Sequence, residues 1–198
     1  MKIERIEVYD ERFEKSIIDQ HGAYVINDET YAFQVLDRNT CRVIFSNINY
    51  LNEAMEEFRF FAGHVSRFVD QKGHILKEYE QVSFFDMRLE EIYVSQFYVS
   101  EEKVKRLLPY INEFLIPVTK IDGKIVSLDG HTRMKIAQLK GISHVSCYFE
   151  DAGNYAKDFM EEAQRRGIFH VFDMPLLPKQ EYEEKWHRFC DDYFNRIT

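Results

Sequence analysis

The 198-residue chain is poor in cysteine and in basic charge, and it has no long apolar run. Its three cysteines, Cys41, Cys147 and Cys190, are scattered and odd in number, and no CxxC pair occurs. That sets aside a disulfide framework and a zinc module, leaving three reduced and mostly buried thiols. His64 and His74 flank a hairpin signal, but spacing puts no third ligand beside them, so no metal site is assigned. Lys and Arg number 26 against 34 Asp and Glu, a net charge of −8. A general nucleic-acid binder shows the opposite balance, so DNA is not an expected partner. No apolar segment approaches the ~20 residues of a membrane helix. Met1-Lys2-Ile3-Glu4-Arg5 leads into alternating charges and not into an apolar leader. These absences predict a soluble cytoplasmic chain without membrane contact. Internal repeats and low-complexity linkers are missing too.

What is present suffices for a core. Hydrophobic residues make up 45% of the chain and aromatics 15%, which argues against wholesale disorder. Three parts are expected. Residues 1–85 read as a small α+β unit. Ile3, Ile6 and Val8 sit in a strand-like stretch, and residues 11–20 carry a helical face of Phe13, Ile17 and Ile18. Two β-rich runs, Tyr31–Leu36 and Cys41–Phe45, flank the turn Asp37-Arg38-Asn39-Thr40. Leu51, Met55, Phe58 and Ala62 share a helix face, and 65–70 and 74–79 form a hairpin around Gln71-Lys72-Gly73.

Residues 86–150 form the second part. Ile92–Tyr98 reads as extended. Ser100 is placed as an N-cap with Glu101 and Glu102 in the first turn, and the helix behind it runs into Pro109. Pro117–Ile121 and Lys124–Leu128 are strands joined at Asp122-Gly123. A helix then runs to Gly141, and Val145–Phe149 is a strand. Residues 151–198 read as helical, with Tyr155, Phe159 and Ala163 on one face. Tyr182, Trp186, Phe189, Cys190 and Tyr193 form an aromatic stripe suited to core or interface packing, which also raises the prospect of a homodimer.

Asp129-Gly130-His131-Thr132-Arg133 carries the chemistry, because it joins a strand to a helix. A helix start offers unpaired N–H groups and partial positive charge. Glycine lets a phosphate approach the backbone, and arginine supplies a forked cationic donor. Between Glu101 and Phe149, eight Lys or Arg outweigh five acids, a local +3 in an acidic chain. Gly130, His131, Thr132 and Arg133 are therefore assigned to phosphate or nucleotide binding. Asp129 and His131 are the candidate catalytic groups, Asp129 as a base or magnesium partner. The plainer reading of the same residues is a helix cap, with Arg133 paired to a surface acid.

Helix, strand, turn, strand, DGHTR, helix, Gly, strand resembles the ParB/sulfiredoxin fold. The residues that carry the resemblance are Ile116-Pro117-Val118, Leu128 to Arg133, Ala137, Gly141-Ile142 and Val145, within about 88–150. It implies an α+β chain: a ParB/sulfiredoxin-like domain with an N-terminal α+β unit and a helical C-terminal tail. Three family activities are then compared. Sulfiredoxins need a cysteine where this chain has His131, so that reductase activity is not expected. CTP-hydrolysing partition proteins carry Gly, Glu, Arg, Arg, of which only Gly130 and Arg133 carry over. Residues 151–198, with ten acids against seven bases, suit no DNA clamp. Free serine kinases carry Asp-Gly-X-His-Arg, matched at Asp129, Gly130 and Arg133, while Gln96 stands in the region of their catalytic glutamate. Gln96 cannot take a proton at neutral pH, and it is kept as a ligand-contacting candidate.

The resulting expectation is a nucleotide of ATP or CTP type, with magnesium, or another small phosphorylated ligand. Phosphotransfer to a small polar substrate, or nucleotide hydrolysis, is the activity considered. The alternatives are a non-catalytic regulatory or partner-binding module and a partition-like DNA-associated factor.

Overall fold

The computed structural model describes residues 2–197, with the backbone alone at Ile197. Its chain divides into two compact units, Met1–Val82 and Ser83–Thr198. The class is α+β.

The first unit is built on a six-stranded sheet. Its strands are β1 (Ile3–Arg5), β2 (Ala23–Ile26), β3 (Glu29–Val35), β4 (Thr40–Phe45), β5 (Arg67–Val69) and β6 (Ile75–Glu78), ordered in sequence across the sheet. Every pairing is antiparallel except β4–β5. A parallel pair needs a crossover, and helix α2 (Leu51–Phe61) supplies it. α2 buries Leu51, Ala54, Met55 and Phe58, and Phe58 stacks on Phe33 of β3 with ring centroids 4.5 Å apart. A second cluster joins Phe13, Ala23, Val25 and Ala32 to Ile17 and Ile18 of helix α1 (Lys15–Asp19).

Two local expectations are corrected here. The helix expected over 11–20 shrinks to α1, because Asp10 Oδ1 accepts the Arg12 N–H at 3.0 Å and bends the chain into a turn. The strand expected through Val8 stops at Arg5, and Val8 is exposed. β2 is an addition to the sequence reading. It joins β3 through Asn27 and Asp28, both at positive φ (48° and 69°), the geometry of a tight two-residue hairpin.

The second unit carries a five-stranded mixed sheet ordered β7-β12-β10-β11-β8. The strands are β7 (Phe84–Arg88), β8 (Ile92–Val94), β10 (Leu115–Ile121), β11 (Lys124–Ser127) and β12 (His144–Phe149). β10 and β11 form the expected hairpin at Asp122-Gly123, while β10–β12 and β11–β8 are parallel. The extended reading of 92–98 is broken after Val94, and a short strand β9 (Val99–Ser100) resumes beyond the loop. Helix α3 (Glu101–Leu107) starts at Ser100, whose hydroxyl accepts the Lys103 N–H at 3.2 Å. Helix α4 (His131–Leu139) connects β11 to β12.

Residues 151–198 complete this unit. Helix α5 (Tyr155–Arg165) is followed by a turn whose Ile168, Val171 and Met174 enter the same core as Ile116, Met134 and Cys147. Strand β13 (Leu176–Leu177) pairs in parallel with β9. Helix α6 (Lys179–Tyr182), a wide π-type turn over Glu183–His187 and helix α7 (Arg188–Ile197) end the chain. Trp186 and Phe189 pack edge-on against Phe97, each with centroids 4.9 Å away. The aromatic stripe is thus engaged within its own unit. Among the described residues no helix is long and apolar enough to cross a membrane.

Candidate functional site

The DGHTR segment turns from β11 into α4, and Gly130 makes the turn. Its φ of +81° lies in the left-handed region, which costs a residue with a Cβ about 1–2 kcal/mol. A Cβ there would also meet Ile116 Cδ1 at 2.9 Å and the Arg133 guanidinium nitrogens at 3.2 Å. The guanidinium therefore lies over the face that glycine leaves bare. Met134 N–H closes the first helical bond onto Gly130 C=O at 2.8 Å. Among the described residues, no protein acceptor meets the N–H groups of His131, Thr132 and Arg133 ahead of it.

Asp129 is exposed, and its carboxylate pairs with Arg133 Nη2 at 3.2 Å. The surrounding chain pushes its carboxyl upward, but Arg133, the Gly130 N–H and Lys103 of α3 outweigh it and hold the group below its ordinary value. Asp129 is therefore anionic at neutral pH. Thr132 and Arg133 are partly exposed, so both side chains can reach a molecule at the helix start.

His131 is placed differently. Its side chain is buried at 3% exposure. Nε2 accepts the Ser95 N–H at 3.3 Å and lies 3.0 Å from Ser127 Oγ. Ser95 Oγ in turn donates to Ser127 C=O at 2.6 Å. Burial drives the imidazole pKa down to about 4, with Asp129 opposing the shift and Arg133 adding to it. An Nε2 that accepts a backbone N–H carries no proton, which fixes the tautomer as Nδ1–H. His131 thus ties the start of α4 to the loop after β8. Ser95 and Ser127 are parts of this tie that sequence reasoning missed, because they come from the loop after β8 and from the end of β11.

Gln96, one residue on from Ser95, is half-buried. Its Nε2 donates to Tyr98 C=O and, at 3.2 Å, to the Tyr182 hydroxyl. Because a backbone carbonyl only accepts, that contact fixes which end of the amide is NH2. Burial raises the Tyr182 phenol above its ordinary value, and the charges of Glu183 and Asp129 add to the effect. The sequence reading put Tyr182 in a packing stripe and did not connect it with this loop.

Among the described residues no group of three or more His, Cys, Asp and Glu could hold a metal ion. Burial pushes the Cys41 thiol up, and the Cys147 thiol in β12 up to about 12.

No protein-family model matches the chain, and no curated relative does. Among solved structures it is similar to protein Atu1540 from Agrobacterium tumefaciens, at 11% identity and a TM-score of 0.35, over 48% of this chain and 63% of that one. The chain thus spans less than two thirds of that protein's length. It is also similar to sulfiredoxin from Arabidopsis thaliana, at 21% identity and a TM-score of 0.33, over 42% of this chain and 98% of that one.

Proposed function

We propose that the second unit binds a phosphorylated ligand, a nucleotide of ATP or CTP type, at the start of α4. One observation carries this reading: three N–H groups without a protein acceptor among the described residues stand beside a guanidinium folded onto Gly130. Phosphate oxygens suit both. Thr132 adds a hydroxyl at the same helix start.

Asp129 adjoins the bound phosphates as an anion. Mg2+ is commonly held by one or two carboxylates together with substrate phosphates, so Asp129 is the group here that could share such an ion. When Arg133 turns toward phosphate, Asp129 loses the partner that holds its pKa down. It then becomes a better acceptor for a proton from a substrate hydroxyl or from water. In this reading the chemistry is phosphotransfer to a small polar substrate, or hydrolysis. His131, neutral and hydrogen-bonded at Nε2, positions the loop.

A non-catalytic binding module is the second reading, favoured by the Asp129–Arg133 pair and the buried His131, which leave the loop stable without a ligand. A thermal-shift titration tests the first. ATP, ADP, CTP, GTP and pyrophosphate are each added, with and without magnesium, to wild type and Arg133→Ala. A ligand at ~100 times its Kd adds about 2.7 kcal/mol of stability if it binds the folded state alone. The expected result is a shift that Arg133→Ala removes. No shift with any ligand retires the nucleotide reading, and binding without turnover leaves the module.

A further inference from the structure

We infer that strand β7 is a pairing edge for a second copy of this chain, the two β7 strands running antiparallel about Met87 across a two-fold axis. Asp86 of each copy then lies opposite Arg88 of the other. The inference is independent of the anion site proposed above.

The five-stranded sheet has two edges, β7 and β8. A bare edge invites pairing with another chain, and proteins commonly cover it. β8 is covered: Val94 N–H donates to Phe169 C=O at 3.1 Å, and His170 Nδ1–H donates to Ile92 C=O at 3.0 Å. β7 carries no such cover among the described residues. Leu89 N–H donates to Ser143 C=O at 2.9 Å, in line with the β7–β12 register. Backbone groups alternate in direction along a strand, so Phe85 and Met87 also bond toward β12, while Asp86 and Arg88 turn their N–H and C=O groups outward. The outward groups of Asp86 meet no protein partner among the described residues. The Arg88 N–H has Glu91 Oε2 at 3.4 Å, a long contact. Both residues are exposed.

Charge selects the occupant. Asp86-Met87-Arg88 reads acid, apolar, base, so an antiparallel pair centred on Met87 sets Asp86 against Arg88 on both sides of the axis. Opposite charges directly across a pair stabilise it, and like charges there destabilise it. A register centred on Asp86 or on Arg88 sets like charges against each other. In the Met87 register each outward N–H meets a C=O of the other copy, Asp86 with Arg88. One Asp86 oxygen is held by Ser146 Oγ at 2.8 Å, which leaves the other for the arginine. Arg88 exchanges its pair with Glu90, an exposed one. Met87 meets its own copy on the opposite face, where a thioether adapts readily. Such a contact is isologous and closes at the dimer. The paired stretch, Asp86 to Arg88, is short, so the dimer belongs to the small and weak class.

Sedimentation velocity on the full chain, up to about 1 mM, reads the association. Wild type is expected to pass from monomer to dimer as concentration rises. Asp86→Arg and Arg88→Asp each set like charges opposite one another, and each should weaken the dimer by about tenfold or more. Mixed in equal amounts, the two variants face Arg against Asp at both positions, and the dimer should return. Met87→Cys is a second measurement that alters no charge. The Cα atoms of this non-hydrogen-bonded pair stand about 4.5 Å apart, within disulfide reach, so mild oxidation should cross-link the variant beyond the wild-type control. A wild type that stays monomeric overturns the inference. A dimer untouched by both single variants overturns it too, as does a mixture that fails to associate although each variant keeps the wild-type urea midpoint by Trp186 fluorescence. If a charge variant has a collapsed midpoint, Met87→Cys decides, and no excess cross-link overturns the pairing.

Discussion

Acid should loosen the second unit well before its carboxylates protonate, and His131 is the cause. The imidazole titrates near 4 when folded, against 6.5 as a free side chain. Between those values the unfolded chain holds a proton that the folded chain refuses, so stability falls as pH drops. The histidine's contribution is fully present above about pH 6.5 and is lost on the way down to about 4. A shift of 2.5 units at 1.36 kcal/mol each amounts to about 3 kcal/mol. Most of that loss lies above pH 4.5. Carboxylates of this unit held low, such as Asp129 and Asp122, act below their ordinary value of 3.8. Trp186, the chain's single tryptophan, belongs to the same unit and reports on it in urea titrations between pH 7.5 and 4.5. The control is His131→Gln, whose amide oxygen can take the Ser95 N–H without titrating. Wild type should lose about 2–3 kcal/mol over that interval while the variant stays nearly level. Parallel loss in both proteins would refute the reasoning.

Gly130→Ala should cost about 1–2 kcal/mol from the left-handed backbone alone, and it should also displace Arg133. Urea unfolding and pyrophosphate titration read the two effects, and a neutral substitution would contradict the turn as described. Ser100→Ala removes the N-cap of α3 and should cost about 1 kcal/mol, visible as a lower urea midpoint by Trp186 fluorescence. Phe33→Ala deletes one ring of the buried stack under α2 and should cost about 3–5 kcal/mol, measured by circular dichroism on thermal or urea unfolding. Iodoacetamide at pH 8 should label Cys41 and Cys147 only after urea is added, because both thiols are buried and pushed up. Fast labelling of either in the folded chain would overturn their burial.

Local signals were legible in the sequence where the physics is local. The face Leu51, Met55, Phe58, the Ser100 cap, the Asp122-Gly123 hairpin and the stop at Gly141 all depend on residues within a few positions of one another. β7 was not read because its pairing is distant: Phe84 opposes Tyr148, and nothing near Phe84 announces that partner. β2 was missed although Asn27-Asp28 is a hairpin signal, because four apolar residues in a row carry no alternation. At the candidate site, the turn from β11 into α4 was legible, because Gly130 and the helix start behind it lie next to each other in sequence. The burial of His131 did not, because it depends on Ser95 arriving from another strand's end. Tyr182 was hidden for the same reason, being brought to Gln96 by the β13–β9 pairing and the clamp on Phe97.

That clamp has a consequence for synthesis on the ribosome. The first unit closes through neighbours in sequence, and domains made first tend to fold first. The second unit has no such luxury, since Asp86 of β7 waits 60 residues for Ser146 and Gln96 waits 86 for Tyr182. A nascent chain paused after β12 would present the DGHTR turn with its sheet paired but with Ile168, Val171 and Met174 still missing from the core. Such an intermediate exposes apolar surface, so the DGHTR turn reaches its final packing only when the last helices have emerged.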